Sequence, residues 1–199
     1  MSSKSPRSAA RQTGAAAPRR IAGQRKLNVN APAVMDRASR FDYSKNIFMA
    51  GGAKAKHNWN LVLAHTSAEW SGDVDVTMET MTRNDPFQVM HATGLDIRGF
   101  EPVRAFYRER LKTFQGQAFF PHRWVISAEA AVTNGYFYGK PSGVFFGVQT
   151  SGKTLCLPMT VWFYFEDDLI KGEAAYLDGN ELRQQIEHGT TRRPSDLVY

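Results

Sequence analysis

The 199-residue chain contains a single cysteine, Cys156. No disulfide can form within it, and a reducing compartment is the expectation. A lone cysteine in an apolar run, with no histidine near it in sequence, reads as a small core residue rather than a nucleophile. Any run of eighteen apolar residues is also missing, which excludes a membrane-spanning helix. Acid is absent from the first 35 residues, Asp36 being the first. That stretch carries Lys4, Arg7, Arg11, Arg19, Arg20, Arg25 and Lys26, and the whole chain has a net charge of +6. The remainder holds 18 basic and 19 acidic residues. The positive excess therefore belongs to the tail, and the rest offers no electrostatic case for a nucleic-acid groove.

Aromatics are scarce in the tail as well. Residues 1–55 are rich in Ala, Ser, Gly, Pro and Arg. They cannot bury enough surface to offset chain entropy, so a basic disordered N-terminal tail is expected. A plain solvated extension is the first reading, with a cytoplasmic protein behind it. An Arg- and Ser-rich, acid-free start also fits a transit peptide to the mitochondrial matrix. The third reading is a weak, salt-sensitive contact with a polyanion.

From residue 56 to 188 the chain is periodic. His57 to Trp70 reads as a helix, with Trp59, Val62, Thr66 and Trp70 on one face. Asp73 is an N-cap for a second short helix bearing Val74, Met78 and Met81. Asn84-Asp85-Pro86 breaks the chain, and Phe87 to Ala92 reads as a short strand. Pro102 sits in the first turn of a third helix. Its apolar stripe is Val103, Phe106, Tyr107, Leu111 and Phe114, with Gly116 as the stop. The period then becomes two. Phe119–Ile126, Ala131–Tyr138, Leu155–Phe165 and Leu169–Leu177 read as strands joined by hairpins. Asp178 opens a last helix, with Glu181 placed for a capping box. Residues 189–199 read as a frayed end. Helices followed by hairpin-linked strands indicate an α+β fold with an antiparallel sheet. Trp162, Phe163, Tyr164 and Phe165 are large on both faces of their strand, so the face away from the helices needs a cover. A second subunit is the expected one, making a homodimer.

Gly147 to Thr154 match the P-loop pattern G-x-x-x-x-G-K-[ST] letter for letter. A P-loop needs a helix to begin at its Lys-Thr and aim backbone N–H groups at phosphate. Here Leu155-Cys156-Leu157-Pro158 continues as strand, and the proline would break that helix. A nucleotide is not expected.

Four segments carry a resemblance. They are HTSAEWSGDVD (65–75), GFEPVRAFYRERLKTF (99–114), GVFFGVQTSGK (143–153) and FEDDLIKGEAAYLDGNELRQQI (165–186). Together they resemble the SnoaL-like polyketide cyclases of the nuclear transport factor 2-like superfamily. The resemblance implies a cone-shaped curved antiparallel sheet wrapped by three helices, with an apolar pocket at its open end and often a homodimer. It also implies intramolecular aldol cyclisation, or a related isomerase or dehydratase reaction, on a small apolar carbonyl substrate. A carboxylate supplies the acid/base chemistry, and no cofactor or metal is used. A non-catalytic ligand-binding or dimerisation module of the same fold is the alternative.

Asp178, at the position where the family has an Asp after the last strand, is the first candidate carboxylate; it is equally a helix cap. Glu173 is the second, mid-strand in an Ala-rich stretch where burial would raise its pKa. Alternation puts Glu173 and Tyr176 on opposite faces. His65 and Glu69, four apart on the first helix, can form an acid/base couple or a surface contact. His91, on a strand, is a further catalytic candidate. His122, Trp124, Trp162, Tyr164 and Tyr176 are expected, with Glu69, to line a ligand site. No pair of histidines has metal-ligand spacing. One departure stands out: where cyclases of this type carry a strand histidine, this chain has Phe163.

Overall fold

In a computed structural model of the chain, the described residues are 46–113 and 118–196. The folded part begins earlier than the periodicity indicates. Strand β1 (Ile47–Met49) pairs in parallel with β4 (Ala118–Ile126), and helix α1 (Gly52–Ser71) follows at once. The expected tail thus contributes residues 46–55 to the domain, and its first 45 residues lie outside the described ones.

Helix α1 is turned away from the expected stripe. It buries Asn58, Leu61, Val62, His65 and Ala68, while Trp59 and Trp70 are only half-buried. The bulky indoles mark the border of the interface, and two polar side chains sit at its centre. Gly72, left-handed at φ 73, ends α1. Asp73 then caps α2 (Val74–Glu79), accepting from the Val76 N–H at 3.1 Å.

The strand after the Pro86 break is shorter than expected. β2 (Phe87–Met90) stops before His91, which opens a 3-10 turn (His91–Thr93), and β3 (Leu95–Arg98) returns antiparallel to β2. Helix α3 (Phe100–Thr113) buries Val103 and Tyr107 completely. The expected stripe member Phe114 and the stop at Gly116 lie outside the described residues.

β4 and β5 (Ala130–Gly139) form a hairpin whose turn is closed by Ser127 Oγ, which accepts from the Glu129 and Ala130 N–H groups. A separate two-stranded hairpin follows, β6 (Ser142–Phe145) and β7 (Val148–Ser151). The P-loop lookalike occupies this hairpin: strand, not helix, lies on both sides of Lys153. β8 (Leu155–Glu166) and β9 (Leu169–Tyr176) complete the main sheet, and α4 (Gly179–His188) closes the domain. Residues 189–196 are docked rather than frayed. Thr190 N–H donates to Thr154 O at 3.0 Å, and Arg192 pairs with Glu181 at 2.6 Å.

The seven strands run β1-β4-β5-β8-β9-β2-β3. Pairing is antiparallel except at β1–β4 and β2–β9. Register shifts at Pro121/Arg123 and Tyr164/Phe165 bend the sheet. Beside the first, the β4 and β5 backbones approach so closely that a Cβ on Gly135 would stand 2.2 Å from Phe120 O. The concave side packs on α1 and carries Trp124, Ile126, Ala131, Phe163, Glu173 and Ala175. The result is an α+β domain with an antiparallel-dominated curved sheet and helices around it.

Candidate functional site

Four strands place one row of side chains across the inner face. Phe163, Glu173, Gln88 and Ile97 are in register on β8, β9, β2 and β3. His65 descends on this row from α1, and Tyr107 from α3. His65 Nε2 lies 2.6 Å from Glu173 Oε1 and 3.1 Å from Tyr107 Oη. Tyr107 donates to the same Glu173 oxygen at 3.0 Å and accepts from Gln88 Nε2.

The protons can be placed by following donors. Thr80 Oγ1 donates to Thr77 O at 2.6 Å, so it must accept at its 2.6 Å contact with His65 Nδ1. Nδ1 therefore carries hydrogen. Nε2, against a carboxylate, carries one too, so His65 is an imidazolium. Complete burial opposes that charge, yet Glu173 and then Glu69 outweigh it and lift the pKa from 6.5 to about 9. Glu69 is partly exposed, and Arg110 NH1 at 2.7 Å overrides its desolvation and holds its pKa down at about 2. Burial and the two carboxylates push the Tyr107 phenol well above its ordinary value, so it remains a neutral donor. The interior thus contains two cations, His65 and Arg110, against two anions, Glu69 and Glu173.

Ligand atoms of His65, Glu69 and Glu173 all lie within 4.8 Å of one another, close enough to consider a metal. The arrangement does not suit one. Metal–ligand bonds of about 2 Å set tetrahedral ligand atoms more than about 3 Å apart, whereas Nε2 and Oε1 share a proton at 2.6 Å. Both carboxylates already have a cationic partner.

The sequence-predicted residues divide into groups. Glu173, His65 and Glu69 come together, and the His65–Glu69 couple reaches into the core rather than lying on the surface, with Nε2 to Oε1 at 3.6 Å. Glu173 is 7 % exposed and faces inward, as alternation requires, while Tyr176 faces out. Glu173 is not a lone carboxyl among alanines; it has the imidazolium as partner. Trp124 is an inner wall, edge-on to Trp59 at 5.2 Å and 5.9 Å from Phe163. Phe163 stands where the family pattern has histidine, and its ring is 6.2 Å from His65.

The rest are elsewhere. Asp178 is exposed, and its Oδ1 accepts from the Asn180 and Glu181 N–H groups at 2.7 and 3.2 Å as a helix cap. Glu181 does not complete a capping box; its Oε1 takes Gln185 and Arg192 instead. Trp162, Tyr164 and Tyr176 project from the outer face, where Trp162 and Tyr164 stack at 6.3 Å. His91 is exposed and lies against Tyr176 at 5.1 Å, and His122 meets Tyr136 edge-on at 5.2 Å. These six expected residues do not join the Glu173 cluster. Sequence reading missed Thr80, Gln88 and Arg110 as members of the cluster and read Tyr107 only as apolar stripe. The available signal was polar groups on otherwise apolar faces: Gln88 on the strand face it shares with Met90, and the hydroxyl of Tyr107 in its stripe.

No family model matches the chain, and no curated protein matches it in sequence. Solved structures do match in fold. A protein from Jannaschia sp. CCS1 described as a SnoaL-like polyketide cyclase aligns over 70% of this chain and 97% of its own, with TM-score 0.60 and 20% identity. A protein from Xanthomonas campestris pv. campestris described as a polyketide cyclase aligns over 69% and 100%, with TM-score 0.54 and 17% identity. TerC, crystallised with polyporic acid, aligns over 66% and 98%, with TM-score 0.53 and 16% identity. The chain has the fold shared by SnoaL-like and nuclear transport factor 2-like proteins.

Proposed function

We propose that the domain is a cofactor-independent enzyme of the cyclase or isomerase/dehydratase type acting on a small apolar carbonyl compound, with Glu173 as its base. The observation that carries this is the convergence of Glu173, His65 and Tyr107 at the centre of the inner sheet face. His65 and Tyr107 both donate to Oε1, which fixes the carboxylate in place. Among the described residues no donor reaches Oε2. That oxygen is the one free to take a proton from the carbon beside a carbonyl and return it to the closed or rearranged product. Aromatic walls from Trp124, Phe163 and Tyr107 suit an apolar substrate. That proteins of this fold include ones described as polyketide cyclases, and one crystallised with polyporic acid, agrees with the reading.

The test is solvent-deuterium exchange at the α-carbon of a series of apolar β-keto esters, followed by NMR. Glu173→Gln is expected to slow exchange at least about a hundredfold, and Asp178→Ala to leave it unchanged. Full burial of His65 and Tyr107 favours one alternative, a non-catalytic module in which the cluster only fixes the core. Absence of exchange in the parent protein with every ester, together with lower stability in Glu173→Gln, selects that alternative.

The outer face suits a homodimer. Phe48, Val125, Trp162 and Tyr176 are 62, 39, 38 and 41 % exposed along neighbouring strands. A two-fold pairing of this face with itself would cover them.

A further inference from the structure

His65 carries two ring protons in the interior, and an imidazolium that titrates must exchange them with water. Of the five histidines, all described, only His65 is buried. Its contacts can be followed outward one by one. On the Nδ1 side stands Thr80 Oγ1, which donates to Thr77 O. Both threonines are fully buried, and a backbone carbonyl accepts a hydrogen bond but passes no proton on. Tyr107 is fully buried too, and its hydroxyl meets the amide of buried Gln88, which does not ionise. Both of these branches end inside.

Two carboxylates remain, both at Nε2. Glu173 lies at the centre of the inner face beneath His65 and Tyr107, and the oxygen that meets Nε2 also takes the Tyr107 hydroxyl. Glu69 lies in the last turn of α1, two residues before Ser71, and its side chain is 12 % exposed. Its partner on α3, Arg110, is 16 % exposed. This ion pair, in the seam between α1 and α3, is the most exposed part of the cluster. Glu69 Oε1 stands 3.6 Å from Nε2 and 2.7 Å from Arg110 NH1. One oxygen thus faces both cations. The guanidinium holds it, and a small rotation of the Glu69 side chain brings it within hydrogen-bond reach of the imidazolium.

We propose that Glu69 is the port through which the buried cluster exchanges protons with water, with Arg110 as its gate. Nε2 gives its proton to Glu69 Oε1, which passes it to water. Nε2 then takes a proton back by the same route, or from Glu173 Oε1 when that carboxyl carries one. In the second case the imidazolium is restored, Glu173 is left as the carboxylate, and one proton has reached water. This goes beyond the reading of Glu173 as a base and does not need it, because His65 titrates whether or not a substrate arrives. Where Glu173 is a base, the port is how it sheds the proton it has taken, and Glu69 acts through His65 without touching the substrate.

The experiment is NMR of the full chain with isotope-labelled histidine, in which the exchange rate of the His65 Nε2–H with water is read by saturation transfer at mildly acidic pH. It uses no substrate, so it can fail while the ester assay succeeds, and the reverse. Glu69→Gln removes the proton acceptor and should slow exchange at least about fivefold. Glu69→Asp keeps the charge but draws it back from Nε2; it should slow exchange as well, and it covers poor folding of the glutamine variant. Arg110→Gln frees Oε1 and makes it more basic, so exchange should become faster. A merely structural role would not give these opposite signs: both glutamine variants break the same ion pair, and loosening of the α1–α3 seam would speed exchange in each. Faster exchange in Glu69→Gln therefore overturns the proposal. An unchanged rate in Glu69→Gln overturns it too, because the proton then leaves by Glu173.

Discussion

Thr80 illustrates how much a single hydroxyl decides. By donating to Thr77 O it can only accept from His65 Nδ1, and the ring is thereby turned to present Nε2–H to Glu173. The consequence for pH is calculable in sign. His65 has a pKa raised from 6.5 to about 9, so its contribution to stability is complete below pH 6.5 and is lost as pH rises through about 9. Glu69 is lowered from 4.5 to about 2; its contribution is complete above pH 4.5 and is lost as pH falls through about 2. Thermal melts should therefore fall off on both flanks. In Glu173→Gln the alkaline flank should flatten, and NMR titration should show the His65 pKa moved down. That variant leaves a buried cation without its main partner and should cost about 3 kcal/mol by urea denaturation. Asp178→Ala should cost about 1 kcal/mol, the ordinary worth of an N-cap. At this scale the sequence offered the pair His65–Glu69 through its spacing, and it offered Glu173 through its neighbours. It could not offer Glu173 as the partner of His65, because that contact joins a helix to a strand more than a hundred residues on. Nor could it rank Glu173, within the last strand, above Asp178, just after it, because burial is what separates them.

Among the elements, the long ones were legible, and so were short α2 and β2, whose starts Asp73 and Pro86 mark; the remaining short strands were not. α1, α3, α4 and β4, β5, β8 and β9 each repeat their period often enough to be read. β1, β3, β6 and β7 have three or four residues each, too few for alternation to register, and they exist because a neighbouring edge accepts them. A helix–strand clasp was equally invisible. Gln185 of α4 is buried and uses its amide as a substitute strand residue: Oε1 accepts from Cys156 N–H at 2.7 Å, and Nε2 donates to Cys156 O at 3.1 Å. Gln185→Leu would strand both backbone groups, a loss of about 2 kcal/mol. The sharper check is hydrogen exchange, where the Cys156 amide should lose protection while those of the β4–β5 hairpin keep theirs. The same clasp explains Cys156: it is buried in the sheet, and burial pushes its thiol pKa up, away from reactivity.

Taken as a molecule, the domain has two faces of opposite chemistry on one sheet. The inner face carries charge where apolar residues would be expected, and the outer face carries aromatics where polar residues would be expected. Gly172 makes the second possible: lacking a side chain, it lets Phe87 and Tyr164 approach to 5.5 Å across β9. If that face joins two copies, Trp162→Glu should give a monomer in light scattering with the fold intact by circular dichroism. A parent protein that is already monomeric at high concentration would end the dimer reading. The fold class followed from the order of elements alone, because few architectures accommodate helices followed by hairpins. The chemistry of the faces did not, because register sets it, and bulges such as the one at Tyr164/Phe165 shift register in ways that period-two reading does not see.

β1 bears on how the chain tolerates being shortened. Among the described residues, its three residues pair with the Trp124–Ile126 end of β4 at the sheet edge, and Asn46 anchors their start through its side chain to His122 O at 3.1 Å. A chain trimmed to begin at residue 57, where the hydropathy pattern begins, would leave the Trp124–Ile126 stretch of β4 without its edge partner and open to another strand. Such a protein would retain the whole Glu173 cluster and yet be prone to stack strand against strand into aggregates. The four residues 46–49 act, in effect, as a gatekeeper for solubility.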